Sequence, residues 1–161
     1  MSKKTNRREF LGTTAATATA ATATATWIGS KLHAADAGVV RSPNETINLG
    51  IVGCGVRGKQ LIDIFNELPG VRFAAVCDVN SKRLEEAREQ AGGDGVSAYH
   101  DFRELLDNAD IDAVLVATNG HWKALVATHA CRAGKDVYVE KPLATSIGEG
   151  RSIVEAAKKY Q

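Results

Sequence analysis

Gly53-Cys54-Gly55-Val56-Arg57-Gly58 stands directly after the apolar run Ile47-Asn48-Leu49-Gly50-Ile51-Val52. That placement constrains the fold more than any other feature of the chain. A lone G-x-G-x-x-G is a weak signal, but between a strand and a helix it describes a tight βα turn. Gly53 permits the turn, Gly55 lets the backbone approach a pyrophosphate, and Gly58 lets the helix pack close to the strand. The helix that opens there offers the N–H groups of Val56 and Arg57, with a partial positive charge, to phosphates.

Strand-like and helix-like segments alternate five times along the chain. Apolar residues at 61, 62, 65 and 68 form a helical stripe from about Arg57, stopped at Pro69-Gly70. Val71–Cys77 is a second strand, and Ser81 is the expected N-cap of a charged helix ending at Gly92-Gly93. Val96–Tyr99 is a third strand, followed by Asp101-x-x-Glu104, a capping-box pattern before Leu105 and Leu106. Ile111–Ala117 is the fourth strand, and Trp122–Arg132 the next helix, with Gly134 at its C′ position. Asp136–Val139 is the fifth strand, and Ser146-x-x-Glu149 opens a last helix through Tyr160. The expected fold is α/β: a Rossmann-type, doubly wound parallel sheet with helices on both faces. Five strands are accounted for; the sixth strand of the full fold and a second α/β domain are not, so the fifth strand should be an edge.

The 161 residues carry 20 Lys+Arg and 19 Asp+Glu, a net charge of +1 that gives no basic footprint for nucleic acid. Cys54, Cys77 and Cys131 form no CxxC, so no metal site is expected; Cys54 and Cys77 should be buried as small hydrophobes. The first 37 residues differ in character from the rest. Arg7-Arg8-Glu9-Phe10-Leu11 resembles a twin-arginine export signal. Thr13–Thr26 contains only Ala and Thr, seven of each, too short and polar for a stable membrane anchor. Cleavage is expected after Ala35 or Ala37. The expected organisation is a signal over 1–37, a linker over 38–45, and a nucleotide-binding domain over 46–161. Export through the twin-arginine machinery would place the product in the periplasm or cell envelope, and that route carries proteins already folded, often with a cofactor bound.

Asp78 lies 20 residues after Gly58, at the end of the second strand. There an acidic residue accepts hydrogen bonds from ribose hydroxyls and repels a 2′-phosphate, favouring NAD over NADP, with Arg83 nearby as a tempering cation. The loop Ala117-Thr118-Asn119-Gly120-His121 follows the fourth strand, next to the topological switch point. Thr118 is placed either to bond a ribose or phosphate or to cap the helix. His121 faces the nicotinamide side or begins the helix as a solvated residue. His100 and His129 read as structural or exposed. Glu140-Lys141-Pro142 ends the fifth strand on the same side of the sheet, with Glu140 expected among the cofactor-binding residues; Lys141 could bond substrate hydroxyls or the nicotinamide ribose, and its charge could lower a hydroxyl pKa.

Together these residues resemble the N-terminal domain of the Gfo/Idh/MocA oxidoreductases. The carrying stretches are Ile51–Gly58, Cys77-Asp78-Val79-Asn80, Ala117-Thr118 with His121-Trp122, and Val137–Leu143. The resemblance implies NAD(P) binding by Gly53, Gly55, Gly58 and Asp78, a Thr118 contact near the nicotinamide half, and the motif Glu140-Lys141-Pro142 with Lys141 beside nicotinamide and substrate. Members with a similar signal commonly read Thr-Pro-Asp-His-Trp-His in the fourth loop. Here it is Thr118-Asn119-Gly120-His121-Trp122-Lys123, so Lys123 replaces a possible ligand or acid–base group.

The family's second domain supplies the usual catalytic His and covers the substrate, so this chain is expected to be a fragment that binds NAD without substantial turnover. The expected function is the NAD-binding part of an exported oxidoreductase. It would transfer a hydride between a nicotinamide cofactor and a sugar, cyclitol or similar hydroxyl, in a full-length homo-oligomer. The alternatives are an NAD-dependent glycoside hydrolase and a non-catalytic nucleotide-binding module.

Overall fold

The computed structural model of the protein describes residues 46–160. The signal expected over 1–37 and the linker over 38–45 lie outside the described residues. Strands β1 (Ile47–Val52), β2 (Val71–Cys77), β3 (Ser97–Tyr99), β4 (Ala113–Val116) and β5 (Asp136–Val139) form one sheet in the order β3-β2-β1-β4-β5. All four pairings are parallel. This is the expected Rossmann-type fold, and β5 lies at one edge. Helices α1 (Val56–Asn66), α2 (Ser81–Ala91), α3 (Phe102–Asp107), α4 (Gly120–Arg132) and α5 (Ile147–Tyr160) connect and follow the strands. A short 3-10 turn, Gly93–Gly95, leads into β3.

The sheet buries both faces, as parallel sheets must. Leu49 and Ile51 of β1, Phe73 and Val76 of β2, and Leu115 of β4 pack with Leu61, Ile62, Leu84, Ala87 and Ala91 of α1 and α2. Val52, Ala75, Cys77, Val114 and Val116 pack on the other face with Phe102, Leu105, Leu106, Val126 and Ala130 of α3 and α4. Large side chains such as Ile51 and Ile62 are fully buried. Each contributes roughly 1.5–3 kcal/mol of apolar transfer. Gly50 is small for a packing reason: a Cβ there would stand 2.9 Å from Leu105 Cδ2 and 3.2 Å from Ile111 Cδ1. The β1–β2 register steps from Leu49↔Phe73 to Gly50↔Ala75. That bulge lets Phe73 and Val76, three residues apart, face the same core.

Three local expectations change. The N-cap of α2 is Asn80, whose side chain accepts from Arg83 N at 3.1 Å, and Ser81 is the first helical residue. Strand β4 is shorter than Ile111–Ala117. Just before it, the Asp112 carboxylate accepts from Asn48 N at 2.8 Å while the Asp112 N–H donates to Asn48 O at 2.9 Å. Helix α4 begins at Gly120 rather than Trp122, with Asn119 as N-cap. Among the described residues no helix is long and apolar enough to cross a membrane.

Candidate functional site

The carboxyl ends of β1 and β4 are neighbours while their connections leave on opposite faces of the sheet, which opens a crevice between them. The turn after β1 forms one wall. Gly53 has φ +96°, and a Cβ on it would lie 2.7 Å from Thr118 N and 2.8 Å from Ala117 C, so the loop after β4 is packed directly on the turn. A Cβ on Gly58 would lie 2.0 Å from Gly53 O. Gly55 differs: nothing stands within 4 Å of its missing Cβ. It is the N-cap of α1, with no side-chain cap bond and no acidic residue in the first turn. The helix therefore presents its first N–H groups, those of Val56 and Arg57 among them, without a side chain answering them.

Asp78 follows β2 at the next corner of the crevice. Its Oδ2 accepts from Cys54 N at 2.8 Å and its Oδ1 from Asn80 N at 2.9 Å. The carboxylate thus braces the glycine turn and keeps lone pairs for a further donor. Cys54 and Cys77 are buried and free, and burial pushes both thiols up to about 12. They are packing groups, as expected.

A cavity of about 390 Å³ is lined by Gly53, Gly55, Asp78, Arg83, Thr118 and Trp122, with His100, Asp101, Phe102 and Arg103 on the α3 side. Reading the sequence missed that α3 wall. His100 is the first residue past β3, with Nδ1 3.1 Å from Asp78 O, and its place at a strand's carboxyl end was the available signal. Thr118 does not cap α4, since Asn119 holds that position. Its Oγ1 is buried in the crevice without a hydrogen-bond partner. An unpartnered buried hydroxyl, an uncapped helix terminus and a missing Cβ at Gly55 are features a bound dinucleotide would answer.

The remaining expected residues lie elsewhere around the strand ends. His121 is exposed and lines a separate groove of about 280 Å³ with His129, Arg132, Glu149 and Ser152. Lys141 is exposed and does not line the crevice. Glu140 is buried and turned inward. Its Oε1 accepts from Arg57 Nε at 2.6 Å and pairs with Arg57 Nη2 at 2.5 Å, while Oε2 accepts from Lys141 N at 2.7 Å. The hydrogen bond from Arg57 holds its carboxyl below the usual range against the opposing effect of burial. Arg57 thereby links the helix that follows the glycine turn to the end of β5. Lys123, read from sequence as standing in place of a possible ligand or acid–base group, is buried under that same segment and donates to its carbonyls.

A five-stranded parallel sheet with a glycine turn, an uncapped helix terminus and an acidic residue after β2 defines a dinucleotide-binding Rossmann domain. Residues 47–161 match the family described as the oxidoreductase family, NAD-binding Rossmann fold, of the Gfo/Idh/MocA group. The chain belongs to that family, and this stretch is its NAD-binding domain. It is 36% identical over 129 residues to a glycosyl hydrolase family 109 protein of Saccharopolyspora erythraea, covering 76% of this chain and 28% of that relative. It is 30% identical over 131 residues to an alpha-N-acetylgalactosaminidase of Shewanella oneidensis, covering 77% and 28%. Among solved structures, it resembles the WlbA dehydrogenase of Bordetella pertussis, in complex with NADH and UDP-GlcNAcA. The TM-score is 0.67 and the identity 27%, over 71% of this chain and 35% of that one. A 3-ketoreductase of Actinomadura kijaniata in complex with NADP gives a TM-score of 0.64 at 27% identity, over 71% and 36%. The chain thus spans less than a third of the length of the curated relatives described here.

Proposed function

We propose that this domain holds NAD across the β1–β4 crevice for chemistry on a carbohydrate-like hydroxyl. The observation that carries the reading is the unpartnered Thr118 Oγ1, on the residue whose backbone packs against Gly53 of the glycine turn. In this reading the N–H groups at Gly55, Val56 and Arg57 receive the pyrophosphate, and Asp78 accepts from the adenosine ribose hydroxyls. The negative charge of Asp78 favours NAD over NADP, and Arg83 on the crevice wall leaves NADP as the weaker ligand. Thr118 donates to the nicotinamide half. When bound, NAD supplies a hydride acceptor at nicotinamide C4. Lys141 orients the substrate hydroxyl, and its positive charge favours loss of the hydroxyl proton. The general base is assigned to sequence outside residues 46–160, within a longer homo-oligomeric protein.

Two reactions fit this site. The leading one is net oxidation or reduction of a sugar or cyclitol hydroxyl. The second, glycoside cleavage assisted by transient oxidation, is favoured by the glycosyl hydrolase names of the sequence relatives. The protein at its natural length decides between them when supplied with NAD and either a polyol or an N-acetylgalactosaminide. Net accumulation of NADH means a dehydrogenase, and release of the aglycone without NADH means a hydrolase. Lys141→Ala should abolish either turnover while NAD still binds, roughly tenfold more weakly. If neither turnover is detected in the unsubstituted protein, the site is a binding module and the catalytic reading falls.

Residues 1–37 are assigned to twin-arginine export, on the order of Arg7-Arg8, the Ala/Thr run and Ala35-Asp36-Ala37. Replacing both arginines by lysine should keep the product inside the cytoplasm. Normal appearance of that variant in the periplasm would remove the assignment.

A further inference from the structure

Lys123 is a buried cation with a complete set of partners. It is only 4% exposed, in the first turn of α4. Its Nζ donates to Glu140 O at 2.7 Å, Lys141 O at 2.7 Å and Pro142 O at 3.2 Å. An ammonium has three protons, and each meets a carbonyl. Burying a charge is costly unless it is paired or fully hydrogen-bonded, so this lysine depends on those three carbonyls being where they are. Burial pushes its amine below the ordinary lysine value, and the Glu140 carboxylate opposes that shift.

The dependence runs both ways. In an extended strand, successive carbonyls alternate in direction, yet here three in a row converge on one atom. The backbone from Glu140 to Pro142 is wrapped around the ammonium. On its other side, Arg57 and the Lys141 N–H hold the Glu140 carboxylate. The segment is therefore gripped by α4 through Lys123 and by α1 through Arg57. The side chain between the two grips, Lys141, is left exposed.

We propose that Lys123 is a positioning residue: by binding the Glu140, Lys141 and Pro142 carbonyls it fixes where the Lys141 amine stands at the nicotinamide end of the site. This rests on the reading above that Lys141 serves that end. Lys123 would not touch the cofactor or the substrate, and its influence would pass through the backbone that carries Lys141.

The test uses the full chain and two ligands. NADH reports on the whole site, through the fluorescence of its reduced nicotinamide. ADP lacks the nicotinamide ribose and ring and reports on the adenosine and pyrophosphate subsites alone. Lys123→Met should lower NADH affinity roughly tenfold, about 1.4 kcal/mol, while ADP affinity stays within about twofold of the unsubstituted chain. Lys141→Ala should give the same split. A merely structural lysine would move both ligands together with the unfolding temperature. If Lys141→Ala gives the split and Lys123→Met leaves the NADH-to-ADP ratio unchanged, the positioning role is overturned and the reading of Lys141 stands. If Lys141→Ala leaves the ratio unchanged, that reading fails and the inference fails with it. Should Lys123→Met not fold, the ratio is read in Lys123→Gln, which keeps two donors but loses the charge and reach. A lowered ratio there supports the proposal and an unchanged one overturns it.

Discussion

Gly55 and Gly58 stand three residues apart in one turn and are required for opposite reasons. At Gly58 there is no room, since a Cβ would lie 2.0 Å from Gly53 O. At Gly55 there is open space, with φ −70° that any residue adopts. Gly58→Ala should therefore cost about 3 kcal/mol of stability or more, read from denaturant unfolding. Gly55→Ala should leave stability within about 0.5 kcal/mol. It should still weaken NAD binding about tenfold by calorimetric titration, because the methyl group stands where the pyrophosphate approaches. Full NAD affinity in Gly55→Ala would mean that the pyrophosphate sits elsewhere. These glycine positions were legible because they belong to one contiguous motif. The Arg57–Glu140 pair was not, since its partners are 83 residues apart and neither sequence position names the other. Lys123 left a faint signal: it precedes buried Val126 and Ala127 at helical spacing, on the face of α4 that packs on the sheet.

Elements were more legible than their ends. Among the described residues, the five strands and five helices occupy the stretches where apolar period and Gly/Pro punctuation place them. The ends differ where polar side chains compete for the backbone. Asn80 and Ser81 are both good caps, and the structure uses Asn80, whose extended backbone at φ −94° lets its side chain reach Arg83 N. β4 begins later than the apolar run because the Asp112 carboxylate, just before it, takes the Asn48 N–H of β1. At α5 the Ser146–Glu149 pattern does form a cap. Ser146 Oγ accepts from Glu149 N at 3.2 Å, while the Glu149 carboxylate reaches Thr145 N at 2.7 Å and Thr145 Oγ1 at 2.6 Å. The Asn80 cap turns on a choice between two neighbouring capping residues, and the start of β4 on a bond between residues 64 apart; apolar period encodes neither.

In the described domain, the sheet order brings segments distant in sequence to one crevice. Gly53, Gly55, Asp78, the start of α3 and Thr118 meet because β1 lies between β2 and β4. The glycine turn and Asp78 were legible through their spacing; the α3 wall with His100 and Arg103 depended on how closely a short helix packs over the strand ends. The same topology keeps His121 out of the crevice and in the groove that Glu149 and Ser152 also line. The central claim is that this crevice binds NAD, and thermal unfolding of the full chain with and without NAD tests it most directly. With NAD at a hundred times its dissociation constant, the account predicts a gain of about 2.7 kcal/mol and a clear rise in melting temperature. The rise should be lost or much reduced in Asp78→Ala. An unchanged melting temperature at millimolar NAD, in a chain that unfolds cooperatively, would contradict the account.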